Sequence, residues 1–205
     1  AGDLNGDGKA DLVITPDEGG GPRVRVLSGG GFAPIADFFG IEDSKFRGGA
    51  RASVGDVNGD TIPDVAVAAG FGGGPRVAVF NGATLTLPVA EGQLPQKLFG
   101  DFFVFEQTLR NGVSVSGADL VTSQGKTLTQ LANFFSGDDD NRQGVRVVVK
   151  DLDGDLRSDL VVGAGVNEGQ EVIAYPATAI PLNGDPTERA FDVDAFNAVG
   201  GVFVG

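Results

Sequence analysis

The sequence predicts an all-β fold in which three or four short antiparallel sheets are repeated along one chain. Glycine accounts for 34 of the 205 residues, which suits many tight turns between short strands. Short runs of β-branched residues, which are typical of strands, recur after acidic stretches. One acidic nine-residue segment occurs in three copies, at residues 3–11, 56–64 and 151–159. Such self-similarity indicates a single supersecondary unit copied in tandem.

Each acidic segment carries oxygen-bearing side chains at its first, third, fifth and ninth positions. A tight loop can turn such side chains around one hard cation, and Ca²⁺ takes about six to eight oxygen ligands. The seventh residue of such a loop adds a main-chain carbonyl oxygen. We therefore predict about three Ca²⁺ ions, held by Asp3, Asn5, Asp7, Lys9 and Asp11; by Asp56, Asn58, Asp60, Ile62 and Asp64; and by Asp151, Asp153, Asp155, Arg157 and Asp159.

An EF-hand uses similar spacing, but its loop lies between two helices and ends with a glutamate at position twelve. Position twelve here is Ile14, Val67 or Val162. The residues that follow each ninth aspartate are rich in valine, leucine and isoleucine, so they favour strands. The acidic segments are therefore predicted to join strand to strand.

These segments resemble the hairpin loops of FG-GAP repeats, also called VCBS-type repeats, of integrin α-subunit β-propellers and many bacterial surface proteins. The family loop has the pattern D-x-[DN]-x-D-G-x-x-D and binds calcium. The resemblance continues into the two Gly-Gly-Gly-Pro-Arg-Val stretches at residues 19–24 and 72–77, with a weaker echo over residues 163–172. It implies sheets arranged as propeller-like blades. Family propellers commonly carry seven blades, whereas this chain has four units.

A second motif sets the boundaries of the units. Phenylalanines precede a glycine, and a loop aspartate follows that glycine seven residues later, as in Gly49 and Asp56. Gly112 with Asp119 shows the same spacing, but no further acids follow Asp119. The predicted units within one domain are residues 1–48, 49–111, 112–143, which is degenerate, and 144–205.

Within the first unit we expect a loop, a strand, a glycine-rich turn and a strand over residues 23–27 with valines inward and arginines outward. The second unit repeats this order and adds a longer connection over residues 85–97. Residues 126–135 form either a strand or a short helix. The fourth unit has a full loop and a strand over residues 171–175. The 15 phenylalanines are expected to fill the core.

The last copy of the glycine, Gly201, precedes a run of strand-forming residues. If Ala1 followed Gly205, Gly201 would again lie seven residues before a loop aspartate, Asp3. We expect residues 200–204 to pair beside residues 12–14, because an unpaired strand edge is a template for pairing. This pairing closes a ring within one molecule or joins molecules head to tail.

The sixth position of the acidic loops distinguishes them from one another. Gly8 supplies the sharp turn there in the first loop. Thr61 and Leu156 replace it in the other two, where a left-handed residue with a Cβ costs about 1 kcal/mol. The second and third sites are therefore expected to be weaker or differently shaped. The run at residues 138–141 is interpreted as a solvated acidic loop, with a further ion site at a turn as the alternative. The Gly-Gly-Gly-Pro stretches are interpreted as turns.

The charge and amino-acid composition of the chain argue against several classes of protein function. The formal charge is −13, and three bound Ca²⁺ ions would bring it to −7. A nucleic-acid partner is not expected, because duplexes are bound through lysine and arginine against phosphate. No apolar run reaches the roughly 18 residues that a membrane span needs, so no membrane insertion is expected. The sequence has no histidine or cysteine, so the usual nucleophile and base pairs are missing and an enzyme is not predicted.

The leading hypothesis is a non-enzymatic calcium-binding structural protein, extracellular or at the cell surface. Its calcium loops would take the place of disulfides, and its C-terminal strand would permit self-assembly into a filament or surface layer. The alternative is a cell-surface adhesion or glycan-binding module with an extracellular protein or glycan as partner. A third possibility is an accessory domain of a larger surface enzyme.

Overall fold

A computed structural model describes residues 1–87, 94–117, 132, 134, 136, 144–165, 169–181, 185–196, 201, 202 and 204. Their regular structure consists of 11 β-strands and two short 3₁₀ turns, Gly82–Thr84 and Ala177–Ala179. The prediction of an all-β fold is confirmed. The chain forms two compact units, Ala1–Lys126 and Thr127–Gly205, which are described separately. None of the described residues belongs to a helix that is long and apolar enough to cross a membrane.

The first sheet belongs to the first unit and has three antiparallel strands in the order β1-β2-β3: β1 (Leu12–Ile14), β2 (Arg23–Leu27) and β3 (Pro34–Phe39). The predicted alternation along β2 is confirmed, because Val24 and Val26 are fully buried while Arg23 and Arg25 are exposed. Both arginines donate hydrogen bonds to Asp37 on the neighbouring strand. The sheet therefore has one apolar face and one face that carries charge.

The second sheet, also in the first unit, has four strands in the order β4-β5-β6-β7: β4 (Ala50–Gly55), β5 (Asp64–Ala69), β6 (Arg76–Phe80) and β7 (Phe102–Phe103). In the second unit, β8 (Val145–Lys150), β9 (Asp159–Ala164), β10 (Glu171–Tyr175) and β11 (Phe191–Asp194) form a sheet with the same antiparallel succession. The second and third acidic loops join β4 to β5 and β8 to β9. The first acidic loop leads into β1. These sheets match the predicted order of loop, strand, glycine-rich turn and strand.

The repeated glycines mark equivalent turns. Gly49, Gly112, Gly144 and Gly201 have φ angles of 72°, 72°, 76° and 77°, a left-handed conformation that favours glycine. After three of these glycines, the next residue donates a hydrogen bond to the main chain at, or just beyond, the end of an earlier strand. These bonds run from the N–H of Ala50, Val113 and Val202 to the carbonyl oxygens of Pro16, Ala69 and Ala164, at 3.0 Å each.

The main core of the first unit lies between its two sheets. Phe38 of the first sheet and Phe80 of the second pack with ring centroids 4.8 Å apart. The valines around them are almost fully buried: Val24, Val26, Val65 and Val67. The opposite face of the second sheet, which includes Phe102 of β7, is covered by apolar residues of the segments before and after β7, among them Leu98, Phe99, Val113 and Val115. The second sheet is therefore apolar on both faces.

An ion network also joins the connection between β3 and β4 to the second sheet. The Nζ atom of Lys97 lies 2.9 Å from Glu42 Oε1 and 2.8 Å from Asp101 Oδ1, and Arg76 bonds to Asp101. The hydrogen bond from Lys97 lowers the pKa of Glu42. Burial acts to raise the pKa of Asp101, but hydrogen bonds from Lys97 and Arg76 outweigh it and lower this pKa.

The core of the second unit is smaller. Val162, Ile173 and Tyr175 are buried together, and the rings of Phe134 and Tyr175 lie 5.3 Å apart in an edge-on arrangement. The Tyr175 hydroxyl group is hydrogen-bonded to Ser136 at 3.1 Å. Val202 is buried, and its N–H donates to the carbonyl oxygen of Ala164 at the end of β9.

The expectation that the phenylalanines fill the core is wrong for many of them. Among the described phenylalanines, Phe38 and Phe80 are buried, whereas the exposed ones are Phe32, Phe39, Phe71, Phe103, Phe105, Phe191 and Phe196. The exposed rings lie on turns and edge strands, where no neighbouring strand covers them. Asp119, the run at residues 138–141, and residues 126–135 apart from 132 and 134 lie outside the described residues.

Candidate metal sites

The first aspartate of each acidic loop organises the turn. In the first loop, Asp3 Oδ1 accepts hydrogen bonds from the N–H groups of Gly6 at 2.7 Å and Asp7 at 3.1 Å, and Oδ2 accepts one from Gly8 at 2.8 Å. The N–H of Gly8, supported by those of Gly6 and Asp7, lowers the pKa of the Asp3 carboxyl group. Equivalent bonds to Asp56 come from Gly59 and Thr61, and to Asp151 from Gly154 and Leu156.

The third and fifth residues of each loop repeat one hydrogen-bond pattern. Asn5 Oδ1 accepts from the N–H of Asp7 at 2.9 Å, and Asp7 Oδ1 accepts from the N–H of Lys9 at 2.9 Å. The corresponding bonds join Asn58, Asp60 and Ile62, and also Asp153, Asp155 and Arg157. These bonds place Lys9, Ile62 and Arg157 at the end of the turn. Their main-chain carbonyl oxygens are the predicted cation ligands of the seventh loop position. Each side-chain oxygen retains a further lone pair.

The sixth position has the same backbone conformation in all three loops. Gly8 has a φ angle of 79°, Thr61 of 71° and Leu156 of 67°, so all three are left-handed. Thr61 is exposed, and Leu156 is 94 % exposed. The second and third loops therefore keep the backbone turn of the first, although their residues with a Cβ are strained there.

The ninth aspartate differs from the others because it is buried. Asp11 and Asp64 are 0 % exposed and Asp159 is 2 % exposed. In each loop Oδ2 accepts a hydrogen bond from the second loop residue: Leu4 at 2.8 Å, Val57 at 2.9 Å and Leu152 at 2.8 Å. Oδ1 accepts one from a residue that lies 18 positions further along the chain: Gly29 at 3.0 Å, Gly82 at 2.9 Å and Ala177 at 2.8 Å.

Sequence reasoning missed this second contact of the ninth aspartate. The available signal was the small residue that stands a constant 18 positions after it. A Cβ atom on Gly29 would lie 2.1 Å from the carbonyl oxygen of Ala10, and one on Gly82 would lie 1.8 Å from that of Pro63. Glycine is therefore required at these two positions, because main chain packs directly on main chain.

The donor set of the loops fits a hard cation. In the third loop Asp151, Asp153 and Asp159 bring one carboxylate oxygen each within 4.8 Å of one another. Carboxylate and amide oxygens are the ligands that Ca²⁺ prefers. Burial raises the pKa of Asp64, an effect that the N–H groups of Gly82 and Val57 oppose. Nearby positive charge would favour the ionised form of such a carboxyl group.

Fold and site together define a class of protein with tandem antiparallel sheets and an acidic hairpin loop ahead of the second strand. Residues 3–67 match the family model described as "FG-GAP-like repeat". The predicted resemblance is thereby confirmed, and the chain carries FG-GAP-type repeat sequence. No solved structure gives a significant match to the chain.

Three curated relatives are integrins. Integrin alpha-7 of Mus musculus is 34 % identical over 125 residues, which cover 56 % of this chain and 10 % of that protein. The Rattus norvegicus protein is 33 % identical over 125 residues, covering 56 % and 11 %. Homo sapiens integrin alpha-7 is 37 % identical over 93 residues, covering 40 % and 8 %. The chain thus spans about a tenth of the length of the curated relatives it matches.

Proposed function

We propose that this chain is a non-enzymatic, extracellular calcium-binding repeat protein in which about three Ca²⁺ ions stabilise the hairpins. The observation that carries the proposal is the threefold repetition of one acidic loop geometry, with the side-chain oxygens of positions one, three and five bonded in the same way. Asp7, Asp60 and Asp155 would hold the ion together with the first, third and ninth residues and the seventh carbonyl oxygen. Bound calcium supplies positive charge that offsets repulsion within each acidic loop.

Calcium binding is tested on the full chain by isothermal titration and thermal unfolding in calcium and in chelator. Ligand at about 100 times its dissociation constant adds about 2.7 kcal/mol of stability for one site. We expect saturable binding of about three ions and a higher melting temperature in calcium. The combined variant D7N/D60N/D155N removes one charge from each loop and should lose most of this gain. An intact chain that melts at the same temperature in both solutions contradicts the proposal.

A second candidate function is adhesion to an extracellular protein or glycan. It is favoured by a cluster of exposed apolar residues around the glycine-rich turn of the second sheet, where Phe71 is 53 % exposed and Leu109 is 43 % exposed. The N–H of Gly72 donates to the main-chain carbonyl oxygen of Arg110, which places this turn beside the segment that contains Phe105 and Leu109. Exposed apolar patches are common at interaction sites. The integrin relatives are consistent with an extracellular protein as partner.

Adhesion is tested by measuring binding of the full chain to immobilised matrix proteins and polysaccharides. Saturable binding that Phe71→Ser abolishes, with an unchanged melting temperature, supports this function. The control is Phe32→Ser, because Phe32 is exposed on a different turn. Absence of binding to the whole panel contradicts it.

Self-assembly is the third part of the hypothesis. Within the described residues the first sheet has three strands, and β1 is paired with a strand on one side only. Val202 bonds to Ala164 in the way that Ala50, the first residue of β4, bonds to Pro16. Residues 200–204 of one molecule would supply a strand beside β1 of the next. Sedimentation of the full chain and of a chain that ends at residue 199 tests this, because assembly by both chains would refute it.

A further inference from the structure

The buried ninth aspartate and its two main-chain donors recur in all three loops and are named here the carboxylate clamp. Each clamp joins the acidic loop to the segment that follows the second strand after that loop, which is β2, β6 or β10. In the second loop this segment begins at Asn81 and contains the 3₁₀ turn Gly82–Thr84. In the third loop it contains the 3₁₀ turn Ala177–Ala179. The same link therefore fastens a 3₁₀ turn in both of these cases.

A buried carboxylate is stable only when its charge is compensated. In the described part of the chain the ion pairs are formed by acids other than the three clamp aspartates. The clamp carboxylate therefore relies on its two main-chain N–H donors. Coulomb repulsion from Asp60 and Asp56 also acts on Asp64. A cation held by the loop would compensate these negative charges together. Its effect on the carboxylate would reach the turn through the Gly82 N–H bond.

We propose that Asp11, Asp64 and Asp159 are positioning residues through which a cation in each acidic loop orders the turn that follows β2, β6 or β10. The inference rests on the calcium binding proposed above. The fifth aspartate of each loop holds the cation at an exposed position, whereas the ninth fastens the loop to the rest of its sheet. Calcium thus stabilises both connections at one end of a sheet, because the clamp holds the second connection through a main-chain N–H group.

A pair of matched variants distinguishes the cation-binding role of the fifth aspartate from the positioning role of the ninth. Asp64→Asn keeps the shape of the side chain but leaves one oxygen acceptor for two N–H groups, so one buried donor loses its partner. We expect this variant to melt at least about 5 °C lower than the intact chain, in chelator as well as in calcium. Asp60 is exposed. The melting temperature of Asp60→Asn in chelator should therefore lie within about 1 °C of that of the intact chain, while calcium binding at the second loop is weakened.

The decisive measurement is amide hydrogen exchange of the ¹⁵N-labelled full chain by NMR, with calcium binding followed by titration under the same conditions. We expect calcium to slow exchange of the Gly82 amide by at least about tenfold, and the Gly29 and Ala177 amides likewise. Asp60→Asn should remove the effect at Gly82 and leave it at Ala177. This comparison does not depend on the folding of Asp64→Asn.

Three results would overturn the inference, and they can be distinguished from one another. If calcium binds with the proposed stoichiometry but exchange of the Gly82, Gly29 and Ala177 amides is unchanged, the clamp does not couple loop to turn and the calcium function stands. If titration shows no binding, the proposed function fails, and the inference fails with it. Slowed exchange at Gly82 that persists in Asp60→Asn also contradicts the coupling.

Discussion

The sixth loop position allows a reciprocal test within one compact unit, because the first and second loops share a backbone turn but differ in side chain. Thr61 has a φ angle of 71° and Gly8 one of 79°. Thr61 is exposed, and a Cβ atom built on Gly8 meets no atom within 4 Å. Exchanging these residues therefore alters backbone strain and leaves packing almost unchanged. Thr61→Gly should stabilise the chain, and Gly8→Thr should destabilise it.

The expected size follows from two opposing terms. A left-handed residue with a Cβ costs about 1–2 kcal/mol in the folded loop, and β-branching puts threonine at the upper end. Glycine gives the unfolded chain extra freedom, which opposes the gain by about 0.5–1 kcal/mol. The net change in the free energy of unfolding is about 1–1.5 kcal/mol for each variant, with opposite signs. For a chain of this size that corresponds to a shift in melting temperature of about 2–6 °C.

The assay is thermal unfolding followed by circular dichroism in chelator, so that altered calcium affinity does not contribute. The double variant Gly8→Thr/Thr61→Gly should melt close to the intact chain, because the two strain terms cancel. A lower melting temperature for Thr61→Gly, or a shift of both single variants in the same direction, would refute the assignment of strain to this position.

The remaining predictions use the same assay. Gly82→Ala should lower the free energy of unfolding by about 1–3 kcal/mol, because the new Cβ atom would lie 1.8 Å from the carbonyl oxygen of Pro63; an unchanged melting temperature contradicts this close packing. Leu156→Gly removes an exposed left-handed side chain and should raise the stability of the second unit by about 0.5–1 kcal/mol, so a loss of stability disproves strain there. Lys97→Met should destabilise the chain at pH 7 by at most about 1 kcal/mol and by less at pH 3. The hydrogen bond from Lys97 lowers the pKa of Glu42, so this stabilisation is present above about pH 4.5 and disappears as the pH falls through the lowered pKa; equal losses at both pH values rule it out.

Much of the fold could be predicted because its signals are local. The alternation of valine and arginine in β2 predicted one buried and one exposed face, as observed. The acidic segment at residues 56–64 was predicted to join strand to strand, and it joins β4 to β5. The left-handed turn at Gly49 sets the start of β4. Periodicity and turn chemistry act over a few residues, so a single sequence contains them in full.

The contacts that were not predicted depend on residues far apart in the chain. Glu42 and Lys97 are separated by 55 positions, and their ion pair exists because the fold brings the connection after β3 beside the segment between β6 and β7. Nothing local distinguishes buried Phe38 from exposed Phe39, since adjacent strand residues point to opposite faces and only the packed sheets decide which face is covered. The clamp from Asp64 to Gly82 depends in the same way on the path of a whole hairpin.

The clamp also explains why the three loops of this chain vary at some positions and not at others. The third position changes from Asn58 to Asp153, because either residue offers a side-chain oxygen at the surface. The sixth changes from glycine to threonine or leucine, because the exposed side chain adds only backbone strain. The ninth is aspartate each time, because a buried group must satisfy two main-chain N–H donors at about 2.8–3.0 Å and also suit a cation. A carboxylate is the short side chain with enough oxygen acceptors for both tasks, whereas asparagine would bring a donor toward another donor.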